Sequence, residues 1–131
     1  MAGNSWQQPV AGEPSLGTMH PCAANLVVNI DPVDTNWSAA VDISAVVPAG
    51  TKAVYCSLEL RSANTTSYWG QVAGGTTPTS PFIEGICGTV AGVSGQRVYG
   101  WIYLTSGLNL YHRVQSTNVC VLKVTIMAYS L

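Results

Sequence analysis

Proton transfer near neutral pH needs a titratable group held beside its partner, and this chain offers only two histidines, His20 and His112. A Ser-His-Asp arrangement requires a histidine oriented by a carboxylate next to an activated serine. His112 is followed by Arg113, and no serine carries a local nucleophile signature. The six carboxylates, Glu13, Asp31, Asp34, Asp42, Glu59 and Glu84, form no evident acid/base pair. Asp31 and Asp34 lie close to Asn29 and Asn36, which are oxygen ligands of the kind calcium takes. The spacing lacks the register and the glutamate of a calcium loop, and turn-forming Asx chemistry accounts for the same residues. The glycine-rich pieces Gly85-Ile86-Cys87-Gly88 and Gly92-Val93-Ser94-Gly95-Gln96 lack the lysine and the helix of a phosphate loop. The sequence therefore predicts no catalytic residue, no cofactor and no metal, and the expectation is a protein that is not an enzyme.

Cysteine is the remaining reactive type. Cys22, Cys56, Cys87 and Cys120 stand 34, 31 and 33 residues apart, without a Cys-x-x-Cys pair to suggest zinc. Four cysteines allow three disulfide connectivities, and the sequence does not choose among them. Cys56 and Cys120 fall on apolar strand faces, so both are read as reduced, buried, small hydrophobes.

Aromatic side chains offer binding rather than catalysis. Trp37, Tyr68, Trp69, Tyr99, Trp101 and Tyr103 are suited to stack on sugar rings, and Asn and Gln would complete the lining of a neutral glycan site. The competing reading makes each of them a packing residue between two sheets. Tyr68 and Trp69 are adjacent in a strand, so only one of the two belongs to the core.

The composition narrows the choice of partner. Charged residues are 8% of the chain, against about 25% in an ordinary domain. Twelve serines, twelve threonines and thirteen glycines carry the polar duties instead. So few charges give weak protection against self-association, which predicts burial of much of the surface in a homo-oligomer or larger assembly. The net charge is −1, and Lys52, Arg61, Arg97, Arg113 and Lys123 are scattered, so no basic footprint for nucleic acid exists. No apolar run approaches the roughly eighteen residues of a membrane span. The start, MAGNSWQQPVAGEPSLG, has neither the charged head nor the apolar stretch of a signal peptide, so export by that route is not expected.

The elements that must position these residues are short strands. The stretch Trp37–Leu60 reads as strand, tight turn, strand. Val54, Cys56, Leu58 and Leu60 point to a core, while Ala53, Tyr55, Ser57 and Glu59 point away. Val47-Pro48-Ala49-Gly50 has the chemistry of a type I turn. Further strands are expected over 25–31, 68–73, 82–90, 97–105, 108–114 and 119–128. The pair 97–105 and 108–114 is expected to form a hairpin through Ser106-Gly107. In the first of these two, Arg97, Tyr99, Trp101 and Tyr103 share a side opposite Val98, Gly100, Ile102 and Leu104. In the last strand, Cys120, Leu122, Val124, Ile126 and Ala128 fall together. No segment has helical periodicity. The pattern predicts an all-β chain, an antiparallel β-sandwich of the jelly-roll kind over 25–131. Residues 1–24 lack periodicity and read as an extended N-terminal arm. Its anchors, Trp6, Val10, Leu16 and Met19, would lie across a neighbouring subunit.

The core of that central stretch, VDISAVVPAGTKAVYCSLEL, resembles a segment of β-sandwich domains in tailed-bacteriophage virion proteins. There a Val/Leu-Asp-Ile/Val-Ser strand runs through a Val-Pro-Ala-Gly turn into an alternating strand. The chain end, VCVLKVTIMAYSL, is similar to the closing strand of such domains, and the resemblance spans residues 37–131. It implies a non-enzymatic virion component made in the host cytoplasm. Capsid decoration, with the major capsid protein as partner, is the leading form. A glycan- or receptor-binding module of a tail fibre or secreted lectin-like protein is the alternative. The family pattern supplies no catalytic residues and does not include the four cysteines.

Overall fold

Leu58 and Leu60 are wholly buried, as are Val54 and Cys56, all on one face of the ten-residue strand β3 (Ala53–Ser62). Each such aliphatic side chain contributes about 1.5–3 kcal/mol on burial, and the other strands are arranged to cover this face. The computed structural model describes residues 18–63, 66–87 and 94–131. Among them the chain is all strand and loop: β1 (Met19–Ile30), β2 (Val41–Asp42), β3, β4 (Tyr68–Ala73), β5 (Phe82–Cys87), β6 (Ser94–Tyr103), β7 (Asn109–Val114) and β8 (Val119–Ser130).

Two four-stranded sheets result, with orders β1-β8-β3-β6 and β2-β7-β4-β5. Within them β1 pairs with β8, β2 with β7, β3 with β6 and β4 with β5, all antiparallel. That is one long hairpin, folded back at the β4–β5 turn and rolled over itself. The pairings β3–β8 and β4–β7 join its layers. This is the jelly-roll form of the antiparallel sandwich. The core between the sheets is aliphatic: Val72, Leu110 and Val114 from the second sheet, with Ile43 just after β2, meet Leu58, Ile102, Leu122, Val124 and Ile126 from the first.

The roll corrects both expected hairpins. Every connection except β4–β5 crosses from one sheet to the other. The stretch Trp37–Leu60 contributes only the two residues of β2 to the second sheet before crossing to β3, and β6 and β7 likewise lie in different sheets. Turn-forming residues mark where a chain bends. They do not say whether it bends within a sheet or over its edge. The turn itself is displaced by one residue: the Thr51 amide donates to the Pro48 carbonyl at 3.3 Å, and Gly50 has φ +87°. Positive φ at the third position is the type II geometry, which glycine adopts without strain.

Two boundaries also move. β1 begins at Met19, six residues before the expected Asn25, because Met19, His20 and Pro21 pair with Ser130, Tyr129 and Ala128. Met19 is therefore a strand residue at a sheet edge rather than part of an arm. Trp6, Val10 and Leu16 lie outside the described residues. At the start of β8 Val119 is buried, and Cys120 is only half-buried. Ser62 pairs with Val119 and Arg61 with Val121, so Cys120 is the extra residue of a bulge and leaves the core face.

Candidate binding surfaces

With the inner faces buried, the sandwich offers two outer faces, and the register fixes what each presents. On the first sheet, three rows run across β1, β8, β3 and β6. One is Pro21–Ala128–Tyr55–Trp101, the next Leu26–Thr125–Ser57–Tyr99, the third Asn29–Lys123–Glu59–Arg97. The first two rows carry no charge. Tyr55 lies 5.4 Å from Trp101 and 6.4 Å from Tyr99 between ring centroids, forming an aromatic cluster that reaches the edge strand β6. Leu26 and Tyr99, at opposite ends of one row, are 53% and 52% exposed, so this face keeps apolar surface in contact with water.

The third row holds one carboxylate among cations, Glu59 between Lys123 and Arg97. Glu59 is buried although it points outward, and it bonds to Arg97 with Arg61 at 3.8 Å. The Arg97 guanidinium holds its carboxyl below the usual carboxylate value, with Lys123 and Arg61 adding to the effect against the cost of burial.

On the second sheet, Glu84, Gln71 and Arg113 stand side by side across β5, β4 and β7. Arg113 Nε donates to Gln71 Oε1 at 2.8 Å, and Gln71 Nε2 donates to Glu84 Oε1 at 2.7 Å. The guanidinium lies 4.4 Å from the Trp37 ring centroid and 5.4 Å from that of Trp69. Trp37 is brought there because Ser38 bonds to the backbone of His112 in both directions, its amide donating to the carbonyl and its hydroxyl accepting from the amide. Gln115 similarly fixes Trp69, its side-chain oxygen accepting from the Trp69 amide at 3.1 Å. Beside Arg113 and Trp37 a groove of about 270 Å³ runs under the β4–β5 loop.

The six aromatics singled out in the sequence thus separate. Trp37 and Trp69 meet at Arg113. Tyr99 and Trp101 join Tyr55 on the opposite face, and Tyr103 continues their side of β6, paired with Ala53. Tyr68 packs against the core, and its hydroxyl accepts from Asn118 Nδ2 at 3.0 Å. Arg113, Gln71, Glu84, Tyr55 and Phe82 were not singled out. Arg113 and Gln71 had one available signal, their outward phase in strands 108–114 and 68–73, but cross-strand pairing is what makes them neighbours.

His112 shares the core face with Val72 and is half-buried, and burial lowers its pKa from the ordinary value of 6.5. It lines a cavity of about 200 Å³ with Ile30, Pro32, Asp34, Asn36 and Ser38. Asp34 Oδ1 accepts from the Asn36 amide at 2.9 Å, an Asx turn. Among the described residues no three of His, Cys, Asp and Glu gather as a metal site. All four cysteines are thiols, with Cys56 and Cys87 buried and Cys22 and Cys120 half-buried. Comparison with family models, curated proteins and solved structures finds no match for the chain.

Proposed function

We propose that this chain is a non-enzymatic structural component of a virus particle, a decoration subunit that attaches to neighbouring subunits through the outer face of its first sheet. The observation that carries the reading is the pair of uncharged rows there, with the Tyr55–Trp101–Tyr99 cluster at one end and exposed Leu26 at the other. Aromatic residues are enriched where proteins meet, and charged ones are depleted at the centre of such patches. A charge content of 8% extends that character over the whole chain. By analogy of fold alone, jelly rolls serve in capsid domains and in lectins. The test is binding of the purified chain to empty capsid shells from the virus whose genome encodes it. Saturable binding that raises the shell's melting temperature supports the reading, and failure to bind at micromolar concentrations contradicts it.

The second reading, a glycan-binding module, is favoured by a separate observation: the Trp37–Arg113–Trp69 stack beside an open groove on the opposite face.

A further inference from the structure

Arg113 is held by three groups, none of which carries a charge. Gln71 accepts a hydrogen bond from its Nε, Trp37 and Trp69 cover the guanidinium, and Glu84 acts only through Gln71. Among the described residues no carboxylate pairs with Arg113. A planar guanidinium fixed in this way keeps its terminal Nη donors in one orientation, which is the arrangement that recognises a carboxylate through two hydrogen bonds. Glu84, the nearest acidic residue of the row, is set beyond Gln71 on the next strand.

The groove that Arg113 lines gives the ligand its remaining character. Trp37 and Phe82 supply apolar surface, and Phe82 is 49% exposed. Thr76, Thr77 and Ser80 supply hydroxyls. Their loop is ordered by its own bonds: the Ser80 amide donates to the Thr77 carbonyl at 3.0 Å, and the two hydroxyls lie 2.8 Å apart. A volume of about 270 Å³ falls just under the roughly 300–1,000 Å³ of drug-sized sites and suits one sugar unit.

We propose that this groove binds a carboxylated sugar, a uronic or sialic acid unit of an acidic glycan. The carboxylate pairs with the Nη donors of Arg113, the apolar ring face lies against Trp37 or Phe82, and ring hydroxyls bond to Thr76 and Thr77. A neutral sugar leaves the guanidinium without a counter-charge. A bare carboxylate leaves the aromatic walls unused. The inference rests on the glycan-binding reading and replaces the neutral ligand expected from the sequence, because Arg113 stands at the centre of the aromatic pair.

The experiment is a titration of the full chain, followed by ligand-observed NMR, with the methyl glycosides of glucuronic acid and N-acetylneuraminic acid. Methyl glucoside and acetate serve as the neutral and sugar-free comparisons. At least one acidic sugar is expected to bind ~10-fold or more tightly than methyl glucoside and acetate, the weight of a charge-assisted hydrogen bond. Arg113→Gln is expected to abolish the advantage over methyl glucoside. Thr76→Val, at an exposed position independent of the stack, is expected to weaken the acidic sugar several-fold and serves if Arg113→Gln fails to fold. Equal binding of acidic and neutral sugars would overturn the carboxylate claim while leaving a glycan module standing. Acetate binding as tightly as the sugar acids would overturn the sugar claim, and no binding of any sugar would remove both.

Discussion

The guanidinium of Arg113 lies 4.4 Å from the ring centroid of Trp37, although the two belong to segments joined only through the roll of the sandwich. β7 supplies the arginine, and the stretch leading into β2 supplies the tryptophan. Such contacts are worth about 0.5–1 kcal/mol at exposed sites and more when desolvated. A double-mutant cycle with Trp37→Leu and Arg113→Met, followed by urea denaturation, is expected to give a coupling of about that size. Strictly additive losses would mean that the stack contributes no pairwise energy.

The thiols divide into two classes. Burial pushes the Cys56 thiol up to about 12, with Cys22 nearby adding to the effect, and burial also raises Cys87. Because the thiolate is the reactive form, Cys56 and Cys87 are expected to stay unlabelled by a thiol reagent at pH 8 in the native protein. Half-buried Cys22 and Cys120 are expected to react first, and all four after denaturation. Peptide mapping checks the order, and Cys56 labelled as fast as Cys120 would contradict the packing.

Acid stability is tied to Glu59. Its folded pKa lies below the 4.5 of the free group, chiefly through the bond from Arg97. Its contribution is therefore complete above pH 4.5 and lost as pH falls through the lower folded value. His112 acts in the same direction at higher pH. Its folded pKa is depressed below 6.5 by burial, so stability declines as pH drops from 6.5 towards that folded value. Glu59→Gln is expected to lower stability at pH 7 and to flatten the fall below pH 4.5. An unchanged acid profile would mean that the pair carries no stability.

Glycine positions separate a backbone approach from ordinary packing. A Cβ on Gly74 would sit 1.9 Å from the Tyr103 carbonyl oxygen, whereas one on Gly85 would meet only side chains, at 3.4 Å or more. Gly74→Ala is expected to cost about 1–3 kcal/mol, as overpacking does. Gly85→Ala is expected to stay within about 1 kcal/mol of the parent. Thermal unfolding of the two variants checks the contrast, and equal melting temperatures would contradict it.

The sequence carried the strands better than their partners. Alternation along 53–60 and 97–104 identified the inward residues Val54, Cys56, Leu58, Leu60, Val98 and Ile102, because side-chain phase is a local property of a strand. Pairing is not local. Pro48-Ala49-Gly50 and Ser106-Gly107 look like hairpin turns but carry the chain between sheets. The bulge that turns Cys120 outward depends on Ser62, far away in sequence. The candidate site was legible to the same degree: Trp37 and Trp69 were visible as aromatics, while Arg113 between them required the β4–β7 register.

Assembly through the first sheet's outer face is the central claim, and Tyr99 is the residue on which to test it, being half-exposed at the end of an uncharged row. The decisive measurement is co-sedimentation of the chain with particle shells, comparing the parent with Tyr99→Ser and with the opposite-face variant Phe82→Ser. Each variant should keep the parent's melting temperature to within a few degrees. Tyr99→Ser is expected to weaken shell binding ~10-fold or more, the loss of an aromatic anchor at an interface, while Phe82→Ser is expected to bind as the parent does. Parent-like binding by Tyr99→Ser, or an equal loss in Phe82→Ser, would contradict the assignment of this face.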